Sequence, residues 1–184
     1  MRRVAITGLG AISALGKNIG EFWQAAVAGR PGIGPLATVD CSALRFKNGG
    51  EVRGYDSREH FVEKQADFMD RFAQFALIAA REAVRDAGID WSGRDRENTA
   101  IVTGSCVGGK STEDAGFVNL YKLGSPRVNP LTIPRAMGNA GASFISMEFG
   151  VTGPVFTVST ACSSSNHAIG QAFWMVRSGA AEMA

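Results

Sequence analysis

The chain has few cysteines and fewer histidines. Its three cysteines (Cys41, Cys106 and Cys162) form an odd set with no CxxC spacing. That excludes a cysteine-based zinc site and fits a reducing compartment. Neither sign of charge dominates: 19 Lys and Arg against 17 Asp and Glu leave a net +2. The arginines are scattered rather than striped, so nothing marks a nucleic-acid footprint. No membrane helix is expected either, because the longest uncharged run is too rich in Gly, Ser, Thr, Pro and Asn. Met1-Arg2-Arg3 and the apolar stretch to Gly16 imitate a signal peptide. Glycines and a threonine break that stretch early, and Val4-Ala5-Ile6-Thr7 reads better as a first strand. The expected compartment is therefore the cytoplasm. There is no internal repeat or low-complexity linker, and 184 residues suffice for one domain with a sizeable core.

The most informative stretch is one that lacks charge altogether. From Phe149 to Val176 there is no Asp, Glu, Lys or Arg, although 20% of the chain is charged. Such a run implies burial on every side. Within it, Val155-Phe156-Thr157-Val158 reads as a strand, Cys162 follows, and Ala168 to Trp174 reads as a helix. Cys162 thus falls where a buried strand gives way to a buried helix. Unpaired N–H groups and the macrodipole at a helix start favour an anion, the form in which a thiol is nucleophilic. The alternative is a small buried hydrophobe. The Thr160-Ala161-Cys162-Ser163-Ser164-Ser165 context favours the nucleophile.

Taken in order, Arg3 to Thr7 is a strand leading into Gly8-Leu9-Gly10. Asn18 to Glu21 resembles a capping box, and Phe22, Trp23, Ala26 and Val27 carry helical spacing to Gly29. Pro31 to Gly54 is loop-like, with one short strand near Glu51-Val52-Arg53. A helix starts near Asp70, places Phe72, Phe75, Ala76, Ala79, Ala83 and Ala87 on one face, and closes at Gly88. Thr99 to Thr103 is a second central strand, and a helix spans Thr112 to Leu123. Pro134 suits the first position of a helix that runs to Gly150. The helix after Cys162 reaches Arg177, with its cap near Gly179. Strands alternating with helices indicate an α/β layered fold with a mixed, largely parallel sheet.

Two motifs point toward nucleotides. Gly8-x-Gly10-x-x-Ser13 follows a strand, but the third glycine of a dinucleotide fingerprint is replaced and no acidic residue closes a second strand. Gly104-x-x-x-x-Gly109-Lys110-Ser111 matches the phosphate-loop pattern letter by letter. A nucleotide phosphatase would also need a later strand ending in Asp for Mg²⁺. Here that strand leads to Ser159-Thr160-Ala161-Cys162, with no acid. A P-loop protein remains the remote alternative.

Several motifs together resemble the β-ketoacyl-[acyl-carrier-protein] synthases, most nearly the synthase II type. They are Arg3 to Gly10, Met69-Asp70-Arg71-Phe72, Asp86-Ala87-Gly88, Gly104 to Gly109, Pro130 to Pro134, Gly153-Pro154 and Thr160-Ala161-Cys162. The resemblance covers 1–184 as the amino-terminal half of a thiolase-like α-β-α-β-α fold, and implies a chain about twice this length. It implies that Cys162 attacks an acyl thioester brought on acyl carrier protein, and that the Cys162 N–H donates to the oxyanion. No metal or resident cofactor is implied, since phosphopantetheine arrives on the carrier. Val107 falls at a position that gates the acyl pocket. Thr132, with Leu131, stands where synthase II types often carry aromatics; Val107 and Thr132 are the substrate-binding candidates that the resemblance implies. A homodimer is implied for the full-length protein.

The family's two enolate-stabilising histidines come from its carboxy-terminal half and are absent here. His167, five residues past Cys162, would lie roughly 140° round a helix and is expected to be packed and hydrogen-bonded. His60 sits in a polar loop and is expected to be solvated. Two readings follow. One is a condensing enzyme of fatty-acid or polyketide-like assembly, incomplete and inactive as these 184 residues alone. The other is a non-catalytic partner or truncated module. A thiolase proper is a rival within the fold, disfavoured by the Cys162 flanks and by Met69 to Phe72.

Overall fold

The computed structural model describes residues 2–91 and 93–184, which divide into two units. One unit comprises Thr7–His60 and Ile78–Gly88; the other comprises Met1–Ile6, Phe61–Leu77 and Ile89–Ala184.

In the first unit, helix α1 (Ile19–Val27) starts where Asn18 accepts the Glu21 N–H at 2.8 Å. Glu21 reaches back one residue further than in the reciprocal capping box, to the Lys17 N–H. Gly29, at φ +63°, lies just past the end of the helix. A two-residue antiparallel ribbon joins β1 (Gly34–Pro35) to β2 (Asn48–Gly49). The strand expected at Glu51-Val52-Arg53 is displaced to Asn48–Gly49. Glu51 instead uses its carboxylate on the Thr38 hydroxyl and on the Thr38 and Ala37 N–H groups, which hold it below the usual carboxylate range.

Next in the chain come α2 (Glu63–Asp67) and the long α3 (Arg71–Asp86), whose residues are shared between the two units. Among the described residues the segment before α1 has no ladder to satisfy it, only an isolated Ser13–Gly16 bridge. Carboxylates of α3 do so instead: Asp86 accepts the Leu9 N–H, and Glu82 accepts those of Ala11 and Ile19, each at 2.9 Å. Gly8 and Gly10 let this backbone lie directly on α3, since a Cβ at Gly10 would meet the Ala79 carbonyl oxygen at 2.0 Å. The glycine pattern is therefore a packing device and no dinucleotide fingerprint. The strand expected over Arg3 to Thr7 is not formed among the described residues, for want of a neighbouring strand, and Ile6 stands exposed. The deepest stripe of α3 is Ala73, Gln74, Leu77 and Ile78, offset from the face that the periodicity suggested.

The second unit continues with α4 (Gly93–Asn98), β3 (Ile101–Gly104) and α5 (Lys110–Phe117), which runs into a π-helical turn at Val118–Lys122. Then follow α6 (Thr132–Ala136), α7 (Ala140–Phe149), β4 (Val155–Val158) and α8 (Ser164–Ser178), with Gly179 left-handed at φ +84°. β3 and β4 pair in parallel, Ile101 opposite Val155 through Gly104 opposite Val158, and α7 and α8 pack on both strands. Parallel and antiparallel pairs thus sit in separate two-stranded sheets. The single helix expected from Pro134 to Gly150 is broken in two. The Ala136 carbonyl is taken by the Gly109 N–H at 2.9 Å, and Met137 turns extended. Buried Asp70 joins two helix starts: it accepts from the Phe72 N–H and from both the N–H and hydroxyl of Thr112.

The charge-free run is less buried than its composition implied. Ile169 and Trp174 on α8 are 66% and 56% exposed, and Phe156 is 36% exposed. Within this chain β4 has one strand beside it, so the remaining apolar surface lacks a cover among the described residues. No described helix is long and apolar enough to cross a membrane.

The fit of Gly10 against α3 has a direct test. Gly10→Ala forces a methyl into the Ala79 carbonyl and should lower the unfolding free energy by about 1–3 kcal/mol. The measurement is the shift in denaturant midpoint at unchanged slope.

Candidate active site

Two loops leave the carboxyl ends of the parallel strands. Residues 105–109 follow β3, and residues 159–163 follow β4; the Ser105 N–H donates to the Val158 carbonyl at 3.2 Å, which ties the loops together at their roots. Thr103 and Thr157 share a hydrogen bond of 2.7 Å across the strands. Gly104 ends β3 against the first turn of α8, where a Cβ would meet the Ser164 carbonyl carbon and the Ser165 nitrogen at 2.5 Å. Only glycine permits that approach.

Cys162 lies in a single 3₁₀ turn, Ala161–Ser163, between β4 and α8. The strand-to-helix placement expected from the sequence is present, with the thiol exposed rather than buried. Ala161 has φ +51° and is the one non-glycine residue with positive φ among those described. Left-handed backbone costs an alanine about 1–2 kcal/mol, so the surrounding bonds must hold it there. They are identifiable. The Ser164 hydroxyl accepts the Thr160 N–H at 3.0 Å and donates to the Ala161 carbonyl at 2.6 Å. The Ser163 hydroxyl and N–H both donate to the Thr160 carbonyl, at 2.8 and 3.2 Å. Ser164 is 4% exposed, so this lock is inside while the thiol is outside.

The other candidate residues are less gathered than the sequence suggested. Val107 lines a cavity of about 520 Å³ with Cys106, Met137, Thr157 and Ser159. Thr132 lines a different cavity of about 370 Å³, with Asp70, Gln74, Thr112 and Arg135. Cys162 lines neither. Ser159 nevertheless brings the first cavity to within three residues of Cys162 along the chain, so Val107 is the better placed of the two. His167 is exposed on α8 instead of packed, because the α8 face that carries it is open to solvent in this chain. His60 is half-buried instead of solvated: its ring stacks on Tyr55 at 5.7 Å, and its carbonyl accepts from Arg81. Among the described residues, no group of three His, Cys, Asp or Glu is placed to hold a metal.

The phosphate-loop match does not survive its geometry. Such a loop binds through free backbone N–H groups. Here the Gly108, Gly109 and Lys110 N–H groups donate to Ser105 Oγ, the Ala136 carbonyl and the Gly108 carbonyl, and the Lys110 ammonium pairs with Glu113. These three donors are turned onto the loop's own scaffold. Millimolar ATP with Mg²⁺ should therefore leave the melting temperature unmoved; a rise of several degrees would restore the nucleotide reading.

Comparison with known proteins identifies the family. The family description "Beta-ketoacyl synthase, N-terminal domain" matches residues 1–184. The 3-oxoacyl-[acyl-carrier-protein] synthase 2 of Staphylococcus aureus is 33% identical over 181 residues, covering 98% of this chain and 44% of that protein. Nodulation protein E of a Rhizobium species is 38% identical over 185 residues, covering 99% of this chain and 45% of that protein. The solved structure titled "The ishigamide ketosynthase/chain length factor" superposes with a TM-score of 0.89 at 28% identity, covering 98% of this chain and 45% of that one. The chain thus spans less than half the length of these relatives, and its helices and parallel strands are those of the amino-terminal half of the thiolase fold. It belongs to the β-ketoacyl synthase family.

Proposed function

We propose that Cys162 is the nucleophile of a condensing enzyme that lengthens an acyl chain by two carbons. The observation that carries this reading is the exposed thiol held on a strained elbow between β4 and α8. The family and the synthase 2 relatives support it. In the first half-reaction the Cys162 thiolate attacks the carbonyl of an acyl thioester on the phosphopantetheine arm of acyl carrier protein. The tetrahedral oxyanion is met by the Cys162 N–H, the carrier's C–S bond breaks, and the carrier thiolate takes up a proton. Malonyl carrier protein then loses CO₂ by cleavage of a C–C bond. The carbanion attacks the acyl-cysteine carbonyl, and Cys162 leaves as thiolate from a β-ketoacyl carrier protein.

Acyl carrier protein is the proposed partner, and a homodimer the proposed working state of the full-length protein. Neither His60 nor His167 lies in the Cys162 turn, and we assign enolate stabilisation to residues beyond these 184. The chain alone would then not complete a condensation. The non-catalytic partner reading rests on the same missing histidines. The exposed Cys162 favours the catalytic side, because a non-catalytic subunit needs no thiol on a strained turn.

In the full-length protein, Cys162→Ala should reduce acyl transfer by at least about 10³-fold, as loss of a covalent nucleophile does. Mass spectrometry of the wild type after incubation with acyl carrier protein should show the acyl mass on the peptide bearing Cys162. Undiminished acyl transfer in the variant would sink the proposal.

A further inference from the structure

The bonds around Cys162 determine the direction of its backbone N–H as well as the place of its thiol. The Ala161 carbonyl and the Cys162 N–H belong to one peptide group, and no peptide bond among the described residues is cis. In a planar trans peptide the two point in opposite directions. The Ala161 carbonyl is drawn inward by two donors of Ser164, its N–H and its hydroxyl. The Cys162 N–H must then point the opposite way, away from buried Ser164, and Cys162 itself is exposed. Among the described residues no acceptor takes that N–H, so a donor is left open beside the nucleophile.

We infer that Ser164 is a positioning residue: its hydroxyl orients the Cys162 N–H toward the oxyanion of the acyl substrate. The backbone N–H of Ser164 would hold the carbonyl in any variant. The hydroxyl does what the N–H cannot, because it accepts the Thr160 N–H while donating to the Ala161 carbonyl. It therefore ties the Ser159–Thr160 peptide to the Ala161–Cys162 peptide across the positive-φ residue. A buried side chain with both its donor and an acceptor site used inside a strained turn is poorly replaced by water, since Ser164 is 4% exposed. Loss of the hydroxyl leaves the Ala161–Cys162 peptide held by the Ser164 N–H alone and untied from Thr160, so it can tilt and the oxyanion donor is less well aimed.

This inference rests on the reading of Cys162 as nucleophile, and two reactions of the same thiol separate them. Acyl transfer from a thioester passes through a tetrahedral oxyanion. Alkylation by iodoacetamide displaces iodide from a saturated carbon and forms none. In the full-length protein, Ser164→Ala should slow acylation of Cys162 on the order of 10-fold, less than outright removal of an oxyanion donor, with KM for the acyl carrier substrate unchanged. The alkylation rate should stay within about 2-fold of wild type, and Ser164→Thr should restore most of the acylation rate. Equal slowing of both reactions would reveal a merely structural role, and no slowing of either would show the hydroxyl to be idle; each overturns the inference. If Ser164→Ala does not fold, the contrast of Ser164→Thr with Ser164→Val, nearly equal in volume, gives the same test. Acyl transfer that persists in Cys162→Ala would instead overturn the nucleophile assignment.

Discussion

The Cys162 arrangement depends on one backbone-to-backbone contact. Gly104, the last residue of β3, lies against the peptide joining Ser164 to Ser165 at the start of α8. Because no side chain intervenes, α8 can begin directly beneath the ends of both strands. The chain leaving β4 must then turn within five residues, from Ser159 to Ser163, to enter that helix. A connection that short cannot be relaxed, and the cost is concentrated at Ala161. The exposed thiol, the inward carbonyl and the opposed N–H all follow from that geometry. A larger residue at 104 would push α8 away, lengthen the turn and dissolve the elbow.

Carboxylates do comparable work where the chain has no regular structure. Glu82 and Asp86 take backbone N–H groups between Leu9 and Ile19, and Asp70 ties the beginnings of α3 and α5. An N–H bonded to a carboxylate is held more firmly than one bonded to a neutral carbonyl. Irregular segments can therefore be kept as definite in conformation as a ladder would make them. Asp70, Glu82 and Asp86 are structural ties of this kind.

The elements legible in the sequence were those whose signals are local. Asn18 and Gly29 bracket α1, Gly88 follows α3, Gly150 ends α7, Gly179 ends α8, and the β-branched run over Val155 to Val158 is a strand. Cys162 was legible for the same reason, as a cysteine between a strand pattern and a helix pattern. What could not be read depends on partners distant in sequence. The break at Met137 comes from Gly109 reaching for the Ala136 carbonyl. Val107 and Thr132 are 25 positions apart, and no periodicity says which wall each joins. The exposure of Ile169 and Trp174 shows that absence of charge does not by itself report burial within these residues. Ser164 was visible only as one of three consecutive serines; its two bonds require coordinates to see.

Ala161 carries a consequence for how this site tolerates change over evolutionary time. Its methyl is exposed, so by contact alone the position should drift freely. The left-handed backbone forbids that, since glycine, asparagine and aspartate occupy it readily while β-branched and bulky residues do not. Selection on the nucleophile is thus transmitted to its neighbour through backbone conformation, and the narrowest choice of side chains falls on a residue with no chemical part to play.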